Sequence, residues 1–396
     1  MPHCRAGSPS MTLHRIVVVG GSIAAATAVA TLRMEGFDGS IIVLSDENVR
    51  PYSRVPLSKQ ALKGTALDVG IGTFDEGVDL RLCTRAVGLD PARRFVATDR
   101  GTVSYDGLVI ATGARARRIG DAGQREFVLR TRDDCARLRS ALRAARSVAV
   151  VGGGFLGMEV ASTCVELGLE TTVISEAPAL ERLLGPVLAQ HVRSTAAQAG
   201  VDFVVSHGGA RLIGLPEPSA VELGDGRLLS ADVIVCAVGD VPNVEWLADS
   251  GIELEGGVVV DDRGRVGATN GRIVAAGDVA VLRGRRYRIP TWTNAVEQSR
   301  GAARALLRGD DAPVYVPSAY AWTEQFGLEI KMVGPLPPLG EPDVLDGSLG
   351  GGSALLAWPN AMRPAQVAAV CHPTAPVKLK RLVFRPSMET EDSVML

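Results

Sequence analysis

The sequence predicts an α/β protein with two Rossmann-like dinucleotide-binding domains and a small C-terminal α+β domain. Three observations carry that prediction. A pattern of strand, Gly-rich turn, helix and strand occurs twice, at 15–45 and at 147–175. Three other apolar strands end in Thr-Gly or Gly-Asp, the composition of ligand-binding strand ends in open α/β sheets. After Pro313 the texture changes, with Trp322, Trp358, "GPLPPLG" (334–340) and "GSLGGGS" (347–353).

The elements follow in order. "RIVVVG" (15–20) is an apolar run closed by glycine, as a strand buried on both faces should be. Ala24–Arg33 is Ala-rich and favours helix, and Gly36 ends it. "SIIVLS" (40–45) is the next strand, so this is a βαβ unit with a right-handed crossover and a parallel sheet. "YDGLVIATGA" (105–114) delivers Thr112-Gly113 at a strand end. "SVAVVGGGFLGMEVASTCVELGLETTVIS" (147–175) repeats the first unit. "ADVIVCAVGDVPN" (231–243) and "GRIVAAGDVA" (271–280) place Gly239-Asp240 and Gly277-Asp278 at strand ends, and 293–308 reads as a helix.

Composition narrows the function. The 396 residues are 46% hydrophobic and 22% charged with a net charge of −2, which speaks against general nucleic-acid binding. No apolar run is long enough to span a bilayer. Residues 1–10 lack the apolar core of a signal peptide and read as a disordered tail, with Met11 as a natural start. The 6 cysteines form no C-x-x-C or C-x-x-x-x-C, so they are read as reduced cytoplasmic thiols, with neither a metal site nor a dithiol pair.

The second Gly-rich turn satisfies G-x-G-x-x-G with Gly152, Gly154 and Gly157, followed by Glu159. The first glycine permits the tight turn, the second admits a pyrophosphate, and the third lets helix and strand pack closely. In the first turn the same register falls on Gly20, Ser22 and Ala25, so serine and alanine replace two glycines. Ser22 adds a Cβ where phosphate approaches, and a hydroxyl able to hydrogen-bond. Asp46 and Glu47, just past the second strand, are candidates to bind ribose hydroxyls. After the second strand of the repeat, Ser175 takes the usual carboxylate position and Glu176 follows, with Arg182 nearby in sequence. A carboxylate there repels a 2′-phosphate, which favours NADH over NADPH.

Taken together, "PYSRVPLSK", "LVIATGA", "GGGFLGMEVA", "AVGDVPN", "AAGDVA" and "WTEQF…KMVG" occur in an order that resembles the FAD-dependent NAD(P)H:ferredoxin reductases of oxygenase systems, over about residues 13–385. The resemblance implies a split FAD domain (11–118 and 241–312), an inserted NAD domain (119–240) and a C-terminal interface domain (313–396). It also implies FAD contacts at Gly20, Ala24, Asp46, Lys59, Ala86, Arg130, Asp278 and Trp292. Arg54 and Trp322 lie in its motifs and join that set. Lys59 is expected near flavin N5, paired with Glu159, where an ammonium alters the energy of adding charge to the flavin. The chain departs from the family pattern at Ser22, in a shorter segment after Lys59, at Pro290 and at Cys371-His372-Pro373.

The implied activity passes electrons from NADH through FAD to a [2Fe–2S] ferredoxin, which supplies a cytochrome P450 or dioxygenase, in a monomer or dimer. Arg300, Arg304 and Arg308, at i, i+4 and i+8 of one predicted helix, form a candidate docking face for an acidic ferredoxin. The alternative at the same positions is a solvated stripe with intramolecular partners. Three other functions compete: a flavin disulfide reductase, disfavoured because no close cysteine pair is present; an NADH-dependent flavin oxidoreductase acting directly on a small-molecule acceptor; and a redox-sensing flavoprotein.

Overall fold

The computed structural model describes residues 13–65, 70–71, 74, 77–359 and 364–384. The tail with Met11, and parts of the short segment after Lys59, lie outside the described residues. The chain divides into two compact units, one of residues 1–53, 69–115 and 242–317, the other of 54–68, 116–241 and 318–396.

The first unit is built on a five-stranded parallel sheet in the order Ile273–Ala275, Gly107–Ile110, Arg15–Val19, Ser40–Leu44, Val78–Arg81. The apolar runs read as buried strands are buried throughout: Ile16, Val17 and Val18 are inaccessible, as are Leu108, Val109 and Ile110. The helices Ile23–Met34 and Trp292–Arg308 pack on each other and on one face of this sheet. Ala25, Ala28, Ala302 and Ala303 are the small residues that permit the close approach. An antiparallel meander (Ala86–Asp90, Phe95–Thr98, Gly101–Ser104) contributes to the core on the other face.

The second unit repeats the plan. Its parallel sheet runs Val201–Val205, Glu170–Ser175, Ser147–Val151, Val233–Cys236 and is accompanied by its own antiparallel meander, Ala210–Ile213, Ala220–Leu223, Leu228–Ser230. The helix Phe155–Glu166 is the crossover between the first two strands of the repeat. The same unit contains an antiparallel sheet in the order Tyr320–Gln325, Leu328–Val333, Gln366–Val370, Ser353–Trp358, Asp343–Ser348, with the helix Pro376–Val383 against it. Residues 54–65 belong to this unit because their polar groups find partners there: Thr163 Oγ1 donates to the Ser58 carbonyl at 2.7 Å, and Cys135 Sγ to that of Leu57 at 3.4 Å.

Candidate dinucleotide sites and the buried ion pair

Each unit places a tight glycine turn at the carboxyl edge of its parallel sheet. In the second unit, Gly152 has φ +118, and a Cβ there would lie 2.2 Å from the Ala237 carbonyl oxygen. A Cβ on Gly157 would lie 1.9 Å from the Gly152 oxygen, so only glycine lets the helix start against the turn. At Gly154 the nearest atom is Leu183 Cδ1 at 3.9 Å: this is the open face, where an approaching group has room. That contrast fits a pyrophosphate resting on the helix N-terminus. The glycines line a cavity of about 590 Å³ with Arg117, Ile119, Glu176, Arg182 and Gly239. Glu176 stands at its edge 3.9 Å from Arg182, both side chains well exposed. In the sequence Arg182 is only a neighbour of Glu176; the fold brings it to the same cavity wall. Ser175 turns inward and donates to the Ala177 carbonyl at 2.7 Å, which leaves Glu176 as the carboxylate available to a ribose.

The first unit repeats the construction at its first glycine, while Ala25 stands where the second unit has Gly157. Gly20 has φ +129, and a Cβ there would lie 2.1 Å from the Ala111 carbonyl oxygen. Ser22 is the N-cap of the helix Ile23–Met34 with φ −128 and ψ −164, extended backbone open to any residue; Gly154 holds the same role with φ −82 and ψ −175. The serine therefore sits at the one motif position where the second copy leaves space for a side chain. Ala25 is fully buried and Ala24 nearly so; a Cβ on Gly277 would meet Ala24 Cβ at 3.0 Å. Ala24, in the first turn of the helix that Ser22 caps, thus meets Gly277.

Gln298 Oε1 accepts from Gly277 N–H at 2.9 Å, and Arg288 donates to the Asp278 carbonyl at 2.6 Å. Asn243 clamps the next strand end: its Nδ2 donates to the Thr112 carbonyl at 2.9 Å, its N–H donates to the Gly113 carbonyl, and its own carbonyl accepts from Thr112 Oγ1 at 2.8 Å. Asp46 is exposed past the second strand, whereas Glu47 accepts from Tyr52 Oη at 2.7 Å. Ala86 opens the meander and Trp292 opens the long helix. Asn243 and Gln298 carried no assignment in the sequence. Asn243 had a signal, its place after Gly-Asp-Val-Pro; Gln298 looked like any mid-helix polar residue.

The other candidates lie in the second unit. Lys59 Nζ is 2.8 Å from Glu159 Oε2, with side-chain exposures of 12% and 11%. The pairing implied by resemblance is thus present as a nearly buried contact. Arg54 Nη1 donates to the Arg130 carbonyl at 2.7 Å, which brings those two together. The Trp322 ring stacks on Tyr320 with centroids 5.8 Å apart.

The arginine stripe is partly engaged within the chain. The helix runs Trp292–Arg308 as expected, but Arg304 Nε donates to Glu35 Oε1 at 2.8 Å and Arg308 Nη2 to Glu35 Oε2. Arg304 and Arg308 are thus held by a carboxylate just past the end of the neighbouring helix, although Arg308 stays exposed, and Arg300 alone of the three has no ion pair among the described residues. Arg283, one of four arginines within residues 283–288 ahead of this helix, similarly pairs with Glu253.

Among the described residues no cysteine is paired, and the three buried ones are unsuited to thiolate chemistry. Cys83, Cys135, Cys164, Cys236 and Cys371 are free thiols. Burial pushes Cys164 up to about 12 and raises Cys135; burial, aided by Glu126, raises Cys236. All three are protonated at neutral pH and poor nucleophiles. Among the described residues no cluster of His, Cys, Asp and Glu is placed to hold a metal, and no helix is long and apolar enough to cross a membrane.

Two glycine cradles on two parallel sheets define an oxidoreductase of the two-dinucleotide type. The chain belongs to the pyridine nucleotide-disulphide oxidoreductase family, whose model matches residues 14–299. It is 34% identical to a rubredoxin-NAD(+) reductase of Pseudomonas putida over 81% of this chain and 86% of that one. It is 33% identical to the ferredoxin--NAD(+) reductase component of a 3-phenylpropionate/cinnamic acid dioxygenase from Photorhabdus laumondii, over 80% and 83% of the two chains. Among solved structures it resembles the covalent putidaredoxin reductase–putidaredoxin complex, with TM-score 0.82, 28% identity, and coverage of 93% and 91%.

Proposed function

We propose that the chain is an FAD-dependent reductase that takes electrons from NADH and passes them to a [2Fe–2S] ferredoxin serving an oxygenase or cytochrome P450. The observation that carries this reading is the open cleft over Gly152–Gly157, edged by Glu176, in the same unit as the nearly buried Lys59–Glu159 pair. The relatives named as ferredoxin--NAD(+) reductases support the acceptor class.

When bound, flavin and nicotinamide supply the hydride and electron chemistry themselves. The chain's residues bind and orient. Gly152, Gly154 and Gly157 admit the NADH pyrophosphate, and Glu176 accepts from ribose hydroxyls and repels a 2′-phosphate. Gly20, Ser22, Ala24, Thr112, Gly113, Gly277 and Asp278 form the FAD cradle, with Asn243 and Gln298 fixing its two strand ends. Lys59 places positive charge where the resemblance assigns the flavin, and Glu159 holds it. The three-part domain assignment belongs to this reading. Buried protonated thiols favour it over disulfide reduction.

Stopped-flow spectroscopy tests it. The purified protein is expected to show an oxidised-flavin spectrum that NADH bleaches rapidly, followed by fast reduction of a [2Fe–2S] ferredoxin. A rubredoxin and a small quinone are the comparison acceptors. Fast bleaching with every ferredoxin refused, and the quinone reduced, transfers the assignment to a direct small-molecule oxidoreductase. A colourless protein that cannot be reconstituted with FAD ends the flavoenzyme reading.

A further inference from the structure

Both oxygens of the Glu159 carboxylate are engaged. Oε2 accepts from Ser58 Oγ at 2.6 Å and meets Lys59 Nζ at 2.8 Å. Oε1 accepts from Thr323 Oγ1 at 2.9 Å. Thr323 is 1% exposed and lies on the strand Tyr320–Gln325, distant in sequence from the helix that carries Glu159. Its hydroxyl has a single proton to give. Gln325, two residues further and so on the same face of the strand, donates Nε2 to Thr323 Oγ1 at 3.0 Å. That bond fills an acceptor position on the hydroxyl and directs its proton at Glu159.

Gln325 is 3% exposed, and its Oε1 meets no donor among the described residues. A buried unpaired acceptor costs stability. With the amide turned over, the oxygen would be paired, but it would draw the Thr323 proton away from the carboxylate. The arrangement forgoes a hydrogen bond at Gln325 and keeps one at Glu159. The strand is also tied to the same helix by Ser162 Oγ, which accepts from Phe326 N–H at 2.7 Å, so Thr323 is not needed merely to pin the two together.

We propose that Thr323 and Gln325 are positioning residues of the redox centre: they orient the Glu159 carboxylate from the C-terminal sheet and, through it, hold the Lys59 ammonium in place. The proposal rests on the reading above that Lys59 acts on the flavin. An ammonium held by an oriented carboxylate has a defined position, and a charge of defined position changes the energy of placing negative charge on a nearby cofactor.

The test is the two-electron flavin midpoint potential of the full-length FAD-loaded protein, with the rate of flavin reduction by NADH as a second readout. The variants are Lys59→Met, Glu159→Gln, Thr323→Val, Thr323→Ser and Gln325→Met. Lys59→Met and Glu159→Gln are expected to displace the potential. Thr323→Val should displace it in the direction of Lys59→Met by roughly threefold to tenfold in the oxidised-to-reduced equilibrium, about 15–30 mV for a two-electron couple. Thr323→Ser restores the wild-type value, and Gln325→Met gives a smaller shift.

A wild-type potential in Thr323→Val, with Lys59→Met and Glu159→Gln displaced, overturns the proposal and leaves the Lys59 assignment standing. A wild-type potential in Lys59→Met removes that assignment and the proposal with it. If Thr323→Val does not fold or retain FAD, Gln325→Met decides: a wild-type potential there overturns the proposal.

Discussion

Ser22 and Gly154 occupy equivalent places in the two cradles, and neither backbone requires glycine. Of the two replacements in the first motif, Ser22 therefore falls on the tolerant position. Ser22→Gly is expected to retain FAD at least as tightly as wild type, measured by flavin release on dilution; weaker retention would assign a contact to the hydroxyl. The intact motif allows a sharper contrast. Gly157→Ala drives a methyl into the Gly152 backbone oxygen and is expected to destabilise the fold by about 1–3 kcal/mol in denaturant titration. Gly154→Ala meets only Leu183 at 3.9 Å, so it should leave stability nearly unchanged while weakening NADH binding, because its methyl enters the cleft. At Glu176, replacement by Ala is expected to raise kcat/KM for NADPH relative to NADH by about tenfold, the scale of one lost charge repulsion near a phosphate. The motif glycines were legible from spacing. Asn243 and Gln298 were not, because their partners are backbone groups supplied by strands distant in sequence.

Among the elements, the pairing of the helices Ile23–Met34 and Trp292–Arg308 shows what periodicity leaves open. Their buried alanines mark the packed faces, and the arginines at i, i+4 and i+8 mark one stripe. The stripe does not reveal that Glu35, just past the end of the first helix, lies against it. There Arg304 donates to the Glu35 carboxyl and, with the Arg308 charge added, holds it below its ordinary value despite opposing desolvation. A carboxyl whose pKa is depressed in the folded state stabilises the fold above its unfolded pKa and loses that contribution as pH falls through the folded value. Thermal unfolding of wild type and Glu35→Gln should therefore differ at neutral pH and converge in acid. A difference that persists at low pH would mean that packing, rather than charge, links the helices.

For the molecule as a whole, the net charge of −2 and the capture of Arg304 and Arg308 reduce the basic surface offered to an acidic partner. Arg300→Ala is expected to lower the second-order rate of ferredoxin reduction about twofold to fivefold at low ionic strength, an effect that added salt removes. Arg304→Ala should act chiefly on stability. A larger and salt-sensitive kinetic loss in Arg304→Ala would restore the original docking stripe.

The sequence alone determined the duplicated strand–turn–helix plan, the intact Gly152–Gly157 cradle and the carboxylate at Glu176. These are local features: a continuous apolar strand, a glycine where no Cβ fits, and a charge just past a strand end each follow from neighbouring residues. Tertiary structure alone decided that Ser58, Lys59 and Thr323 meet on one carboxylate, that Asn243 and Gln298 lock the strand ends, and that Glu35 claims two arginines. Those contacts join segments tens to hundreds of residues apart. A hydrogen bond depends on atoms within about 3 Å, and only the folded backbone brings them to that distance.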